Sequence, residues 1–230
     1  VESLNHLQAH AFFKDTPVSV LENLAANSHL IKVHEDQIVA SYTEPTTDVF
    51  ILMAGSLSVQ IFADTGKCIF FRDVGPGELV GELAAIDNKP RSASILSLSD
   101  GLLATVPASA FMAALRAHPP LMEKLLVMLS DKIREMTDQI YELNAFDVPT
   151  RIISELCRLG ERTRQSDGKS SIKPAPTHEV LAKRVGTSRE AVTRTLSSLA
   201  QDDLIIKKRN EIVINDIDYM RRMITDRQAI

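Results

Sequence analysis

MEKLLVMLSDKIREMTDQIYEL, residues 122–143, decides how the rest of this 230-residue chain is read. Met122, Leu126, Leu129, Ile133, Met136, Ile140 and Leu143 follow one another at alternating intervals of four and three. Three heptads with apolar a and d positions predict a coiled-coil helix, and such a helix needs a partner. Lys124, Asp131, Lys132, Arg134, Glu135, Asp138 and Glu142 form the solvated flank. No Gly or Pro interrupts the run between Pro119-Pro120 and Pro149. A long helix buried within its own chain is the alternative, but the apolar stripe is narrow rather than a broad face. The expected arrangement is a two-fold homodimer built on paired copies of this helix.

Outward from this helix the chain changes character. Residues 1–147 carry a net charge of −9 and residues 148–230 a net charge of +5. An acidic front and a basic tail predict two domains, with the tail meeting a polyanion. The hydrophobic fraction of 44% and the charged fraction of 24% are those of a soluble globular protein. No apolar run approaches the length needed to span a bilayer, and no secretory pattern leads the chain. The chain opens on Val1 without a Met, so a few preceding residues are expected to be missing. Cys68 and Cys157 match no metal-ligand or redox spacing and are expected to be buried small hydrophobes in a reducing cytoplasm.

Residues 3–26 read as short helices broken at Lys14–Pro17. From about 29 to 106 short strands alternate with turn residues at Gly55, Asp64–Gly66, Gly75–Gly77 and Asp100-Gly101. Val49–Met53 and Cys68–Phe71 are apolar runs of strand length. Ser56–Phe62 alternates, which puts Leu57, Val59 and Ile61 on one face. Many short strands joined by tight turns predict a barrel or jelly roll. Pro107–Ala117 reads as a helix leading into the long one, and 148–164 as a helix after it. Gln165–Pro176 reads as a polar loop. The segments 177–185 and 188–201 read as two short helices, followed by a hairpin of Leu204–Ile206 and Ile212–Ile214 around Lys207-Lys208-Arg209-Asn210.

Within the strand region, Gly81-Glu82-Leu83-Ala84-Ala85-Ile86 is followed by Pro90-Arg91-Ser92-Ala93-Ser94. Gly81 lets backbone approach a ligand closely. One helical turn over 82–86 would present free N–H groups to an anion. Arg91 suits bidentate contact with a phosphate, Ser92 adds a hydroxyl donor, and Glu82 suits a ribose hydroxyl. A Gly turn with a structural Glu82–Arg91 ion pair is the competing reading. The cassette resembles the phosphate-binding cassette of the cyclic-nucleotide-binding domain, with eight residues between Glu82 and Arg91. The resemblance implies a jelly-roll barrel with Gly81, Glu82, Leu83, Ala84, Arg91 and Ser92 around the ribose and cyclic phosphate.

The basic segment reads as a helix-turn-helix. On its second helix Val192, Thr195, Leu196 and Leu199 share a packing face. Glu190, Thr193, Arg194 and Ser197 share the other, with Arg189 at the helix start. Arg suits guanine N7 and O6, and Glu suits cytosine N4. Thr187-x-x-Glu190 also has capping-box spacing, so Glu190 has a purely structural alternative. The basic turn of the hairpin, including Lys208, suits DNA phosphates.

Taken together, the chain resembles the CRP/FNR transcription regulators over nearly all 230 residues. The fold class expected is α+β: a jelly-roll cyclic-nucleotide-binding domain over 1–117, a dimerisation helix and hinge over 118–147, and a winged-helix DNA-binding domain over 148–230. Val185–Arg194 looks like the recognition helix of the cAMP-receptor branch. The resemblance implies that Arg189, Glu190 and Arg194 read a palindromic TGTGA-like site in double-stranded DNA. Thr177, Glu179 and Ser188 stand where the family makes phosphate contacts. Met136 and Thr137 stand where the branch places a Thr-Ser pair against the base, so either cAMP or cGMP is expected to fit, cAMP being favoured. The exposed loop Gln165–Ser171 resembles in position the surface shown to RNA polymerase. No cysteine cluster and no matching Cys–His pair is present, so neither an iron–sulfur cluster nor haem is expected, and no metal. An enzyme acting on phosphodiesters lacks the accompanying nucleophile and base. A ligand-independent DNA binder with a vestigial cassette is the remaining alternative.

Overall fold

A computed structural model describes residues 2–63 and 68–228. The turn expected at Asp64–Gly66 lies outside the described residues. The chain divides into two compact units, Val1–Arg134 and Glu135–Ile230.

In the first unit α1 (Glu2–Ala9) and α2 (Val18–Ala26) precede eight strands. These are β1 (His29–Val33), β2 (Ile38–Ala40), β3 (Val49–Ala54), β4 (Leu57–Phe62), β5 (Cys68–Val74), β6 (Leu79–Val80), β7 (Ser94–Ser97) and β8 (Gly101–Val106). They form two antiparallel sheets in the orders β1-β8-β3-β6 and β2-β7-β4-β5, a jelly roll. Helix α3 (Glu82–Asp87) interrupts between β6 and β7, and α4 (Ala108–Ala117) follows β8.

Strand β3 shows why Val49–Met53 is apolar throughout. Val49 and Ile51 join the cluster shared with α2, α4 and the helix that follows, while Phe50 and Leu52 join the barrel interior. A strand covered on both faces has no polar side. Each such fully buried aliphatic side chain contributes about 1.5–3 kcal/mol. Strand β4 departs from the alternation read in the sequence. Leu57 and Val59 do pack into the interior cluster, but Ser58 and Gln60 are also buried and Ile61 is half-buried. The register shifts at Val59/Gln60, and such a bulge breaks the two-residue period. Cys68 is half-exposed rather than buried, with its thiol donating to Gln60 Oε1 at 3.0 Å.

The long helix α5 runs from Pro119 to Ala145. Its start at Pro119 is compatible with proline in a first turn, where no N–H partner is needed. The heptad stripe is divided along its length. Met122 and Leu129 pack, with Leu121, Leu125 and Met128, against the helical cluster of their own barrel. Leu126, Ile133, Met136, Ile140 and Leu143 are exposed. The seam therefore serves the chain's own core at its N-terminal end, because α2 and α4 leave that cluster open there.

The second unit contains α6 (Val148–Gly160), β9 (Ser170–Ile172), α7 (His178–Val185), α8 (Arg189–Gln201), β10 (Ile205–Lys208), β11 (Glu211–Ile214) and α9 (Ile217–Gln228). Asp147 caps α6 by accepting from Thr150 N at 2.8 Å. The sheet order is β10-β11-β9, all antiparallel. The segment 165–176 is not all loop, since Ser171 and Ile172 pair with Val213 and Ile212. Lys207 and Lys208 belong to β10, and only Arg209-Asn210 make the turn. Helix α9 closes the core through Ile217 and Met220. Its signal was readable in the 3–4 spacing of Ile217, Met220 and Ile224 after Asp216, whose carboxylate accepts from Tyr219 N at 2.9 Å.

Candidate functional site

Gly81 caps α3 with φ +90°, a region that side chains rarely adopt. A Cβ there would lie 2.6 Å from Arg91 Nη1 and 2.9 Å from the Asp48 carbonyl oxygen, so only glycine fits. Glu82 and Arg91 are 4% and 3% exposed, which is unusual for charged groups and requires partners. Those partners are not each other. Glu82 Oε1 accepts from Lys132 Nζ on α5 at 2.9 Å. Arg91 Nε donates to Thr46 Oγ1 at 3.0 Å, and its Nη1 donates to the Gly81 carbonyl at 3.2 Å. The Glu82–Arg91 ion pair of the competing reading is absent among the described residues.

Arg91 Nη2 is buried and has no hydrogen-bond partner. The guanidinium carbon lies 5.1 Å from the Phe50 ring centroid. The Arg91 main chain is pinned as well, donating to the Glu44 carbonyl at 2.9 Å and accepting from Thr43 N at 3.0 Å. Burial lowers the Arg91 pKa, opposed by the charges of Asp48, Glu44 and Glu82. Burial likewise lowers the pKa of Lys132, opposed chiefly by Glu82. An orphaned donor on a rigidly held buried cation is a place for an anionic oxygen. Ala84 is buried beside the cassette, whereas Leu83 and Ser92 are exposed. The residue pattern assigns Thr46 no role and Phe50 only a place in an apolar strand. Lys132, read there as part of the solvated flank of the long helix, is instead largely shielded, at 19% side-chain exposure, because it reaches the buried Glu82. Met136 and Thr137 lie on α5 in the portion belonging to the second unit, where both are exposed.

In the second unit, Thr177 caps α7 by accepting from Val180 N, and Ser188 caps α8 by accepting from Ala191 N, each at 3.2 Å. Gly186 between them has φ +64° and ends α7. The capping-box alternative needed Thr187 as the cap. Because Ser188 holds that position, Glu190 falls one residue short of the reciprocal site. Its exposed carboxyl is instead held below the usual range by its own backbone N–H and the Ser188 hydroxyl. Val192, Leu196 and Leu199 are buried in the domain core, while Arg189, Glu190, Thr193 and Arg194 are exposed. Glu179 pairs with Lys183 at 3.1 Å, and a carboxylate offers phosphate no donor beyond its backbone N–H. Lys208 is exposed and pairs with Glu211 at 3.0 Å.

An ionic network centred on the buried Glu155 supports this face. Glu155 accepts from Arg158 and from Arg184 Nη1, the latter at 3.1 Å. Arg158 Nη2 reaches Glu142 at 3.0 Å, and Ser154 donates to the same carboxylate at 2.7 Å. Arg151 donates to the carbonyls of Phe146 and Val185, each at 3.1 Å. The last turn of α5, α6 and α7 are thereby joined within the unit. Among the described residues no group of three or more His, Cys, Asp or Glu is placed to hold a metal. No described helix is long and apolar enough to cross a membrane.

The class of protein is set by two matches. A cyclic nucleotide-binding domain covers residues 30–118, and a Crp-like helix-turn-helix domain covers residues 150–223. The chain is 26% identical over 180 residues to the CRP-like cAMP-activated global transcriptional regulator of Mycobacterium tuberculosis, covering 78% of this chain and 80% of that one. It is 24% identical over 196 residues to the cAMP-activated global transcriptional regulator CRP of Haemophilus influenzae, covering 85% and 88%. The solved structure of the c-di-GMP responsive global regulator CLP of Xanthomonas campestris superposes with a TM-score of 0.74 at 22% identity, over 86% of this chain and 99% of that one. This chain belongs to the CRP/FNR family of transcription regulators.

Proposed function

We propose that the chain is a cAMP-responsive homodimeric regulator that binds a palindromic TGTGA-like DNA site. The carrying observation is the buried Arg91, whose Nη2 has no partner, next to a Glu82 held by Lys132 rather than by Arg91. Such a pocket suits a cyclic phosphate on Arg91 and a ribose hydroxyl on Glu82. Gly81, Leu83, Ala84 and Ser92 complete the cassette in this reading. Met136 and Thr137 supply the base contacts, with one hydroxyl and one adaptable thioether, so cGMP is expected to bind as well. The chain divides functionally into a nucleotide-binding part over 1–117, a dimerisation helix and hinge over 118–147, and a DNA-binding part over 148–230 in this proposal. Exposed Leu126, Ile133, Met136, Ile140 and Leu143 support pairing of α5 with a second copy.

Nucleotide then acts by shifting the population toward the dimer geometry that places two recognition helices roughly 34 Å apart. Arg189, Glu190 and Arg194 read bases, with Thr193 beside them. Thr177, Ser188, Lys208 and the Glu179 backbone meet phosphates. The Gln165–Ser171 segment faces RNA polymerase, in a cytoplasmic setting. Calorimetry with cAMP and cGMP, with and without a duplex bearing the site, tests this reading. We expect both nucleotides to bind within about two orders of magnitude of each other, and cAMP to strengthen DNA binding more. Arg91→Ala should lower nucleotide affinity by roughly 30-fold to several thousand-fold, since truncating a buried charge partner costs about 2–5 kcal/mol. Undiminished binding to this variant would remove the cassette from the site. DNA binding indifferent to either nucleotide would favour the ligand-independent alternative.

A further inference from the structure

His178 is the one histidine in residues 135–230 and the first residue of α7. Its Nδ1 lies 2.8 Å from Thr193 Oγ1 on α8. The Thr193 hydroxyl has a single proton, and it donates that proton to the Arg189 carbonyl at 2.9 Å. With that bond made, its oxygen accepts from the imidazole, and the arrangement satisfying both contacts places the ring proton on Nδ1. In this tautomer the neutral ring presents Nε2 as a bare acceptor. A phosphate oxygen is also an acceptor, so the two cannot bond. Only the imidazolium offers an Nε2–H donor.

The surroundings match a phosphate-facing position. On α8, Arg189 and Arg194 are exposed on the same side as Thr193. On β10, Lys207 Nζ donates to Ser197 Oγ on α8 at 3.3 Å. On α7 itself, Glu179 is taken up by Lys183, and on α8 Glu190 is engaged by Ser188. Partial burial, then Lys207 and Arg189, hold the His178 pKa below its ordinary value in the free protein.

We propose that His178 is a DNA-backbone contact made only in its protonated form, so that DNA binding takes up a proton at this residue. The inference rests on the DNA-binding reading above and adds a regulatory dependence to it. A phosphate beside the ring raises the proton affinity of the complex over that of the free protein. DNA affinity then rises as pH falls between the two values and is level outside them.

The test uses the full chain with millimolar cAMP and a labelled duplex bearing a palindromic TGTGA-like site, at fixed ionic strength between pH 6 and pH 8. Wild-type affinity should rise by about tenfold on acidification across this range. His178→Gln should be nearly level with pH, and His178→Arg level and tighter than wild type at pH 8. Titration in two buffers of different ionisation enthalpy should show proton uptake in the wild type that is lost in His178→Gln. A pH slope equal in wild type and His178→Gln, or a level wild-type profile, would overturn this inference alone. Failure of the wild type to bind any DNA at any pH would overturn it together with the reading beneath it.

Discussion

Lys132 Nζ donates to Glu82 Oε1 at 2.9 Å, linking α5 to the cassette helix across a separation of fifty residues in the chain. Both side chains are shielded, at 19% and 5% exposure. The pair holds a carboxylate in a place where an unpaired one would take up a proton or draw in water.

Lys132→Met should therefore destabilise the first unit by about 3–5 kcal/mol at neutral pH, because it leaves one buried charge alone. Lys132→Met combined with Glu82→Gln should recover much of the loss, because the second change removes the buried charge that the first leaves alone. Urea denaturation of the single and double variants measures this; a double variant no more stable than Lys132→Met would assign Lys132 a packing role only.

Arg194→Ala should cost about 1–3 kcal/mol on the preferred duplex and relax the preference at one base pair of each half-site. Lys208→Ala should weaken binding to all sequences and reduce the salt dependence. Binding isotherms on specific and random duplexes at several salt concentrations separate the two. Equal losses on both duplexes for Arg194→Ala would make it a backbone contact. Unchanged base preference in Glu190→Gln would remove Glu190 from base reading.

Ile133 is 65% exposed at the centre of the heptad stripe. Ile133→Asp should place two like charges opposite one another in an apolar seam, at a cost of several kcal/mol. The expected product is a folded monomer with DNA affinity in the non-specific range. Sedimentation equilibrium reads the mass directly, and an intact dimer would move the interface off this stripe.

Cys157 is buried, and burial raises its thiol pKa from 9.0 to about 11. Alkylation at pH 8 should modify half-exposed Cys68 first and spare Cys157 until the second unit opens, which peptide mass spectrometry would show. The raised folded-state value means that stability is complete below pH 9 and declines as pH rises toward about 11. Cys157→Ser should lessen that alkaline decline, although the buried hydroxyl lowers stability at pH 7.

Much of the site was legible because its signals are local. The cassette needs a glycine at positive φ, a carboxylate after it and an arginine a short distance on, all within one excursion of chain. The caps Thr177 and Ser188 and the Gly186 turn are set by side chains within three residues of the groups they satisfy. Strand β9 was hidden because Ser170-Ser171-Ile172 has no strand pattern of its own and exists by pairing with β11 some forty residues later.

The sequence by itself determined most of the order of elements, β9 and α9 excepted, a barrel or jelly roll of short strands, the long helix and the two-helix reading head, since these follow from periods of two and three to four residues and from turn chemistry. Tertiary structure decided who partners the charges. Glu82 looked equally able to pair with Arg91, its neighbour in the cassette, and only the packing of α5 against the barrel brings Lys132 to it. That packing also withdraws Met122 and Leu129 from the heptad stripe and leaves the rest exposed. Spacing along a helix specifies which residues share a face, but what covers that face depends on surfaces assembled from distant parts of the chain.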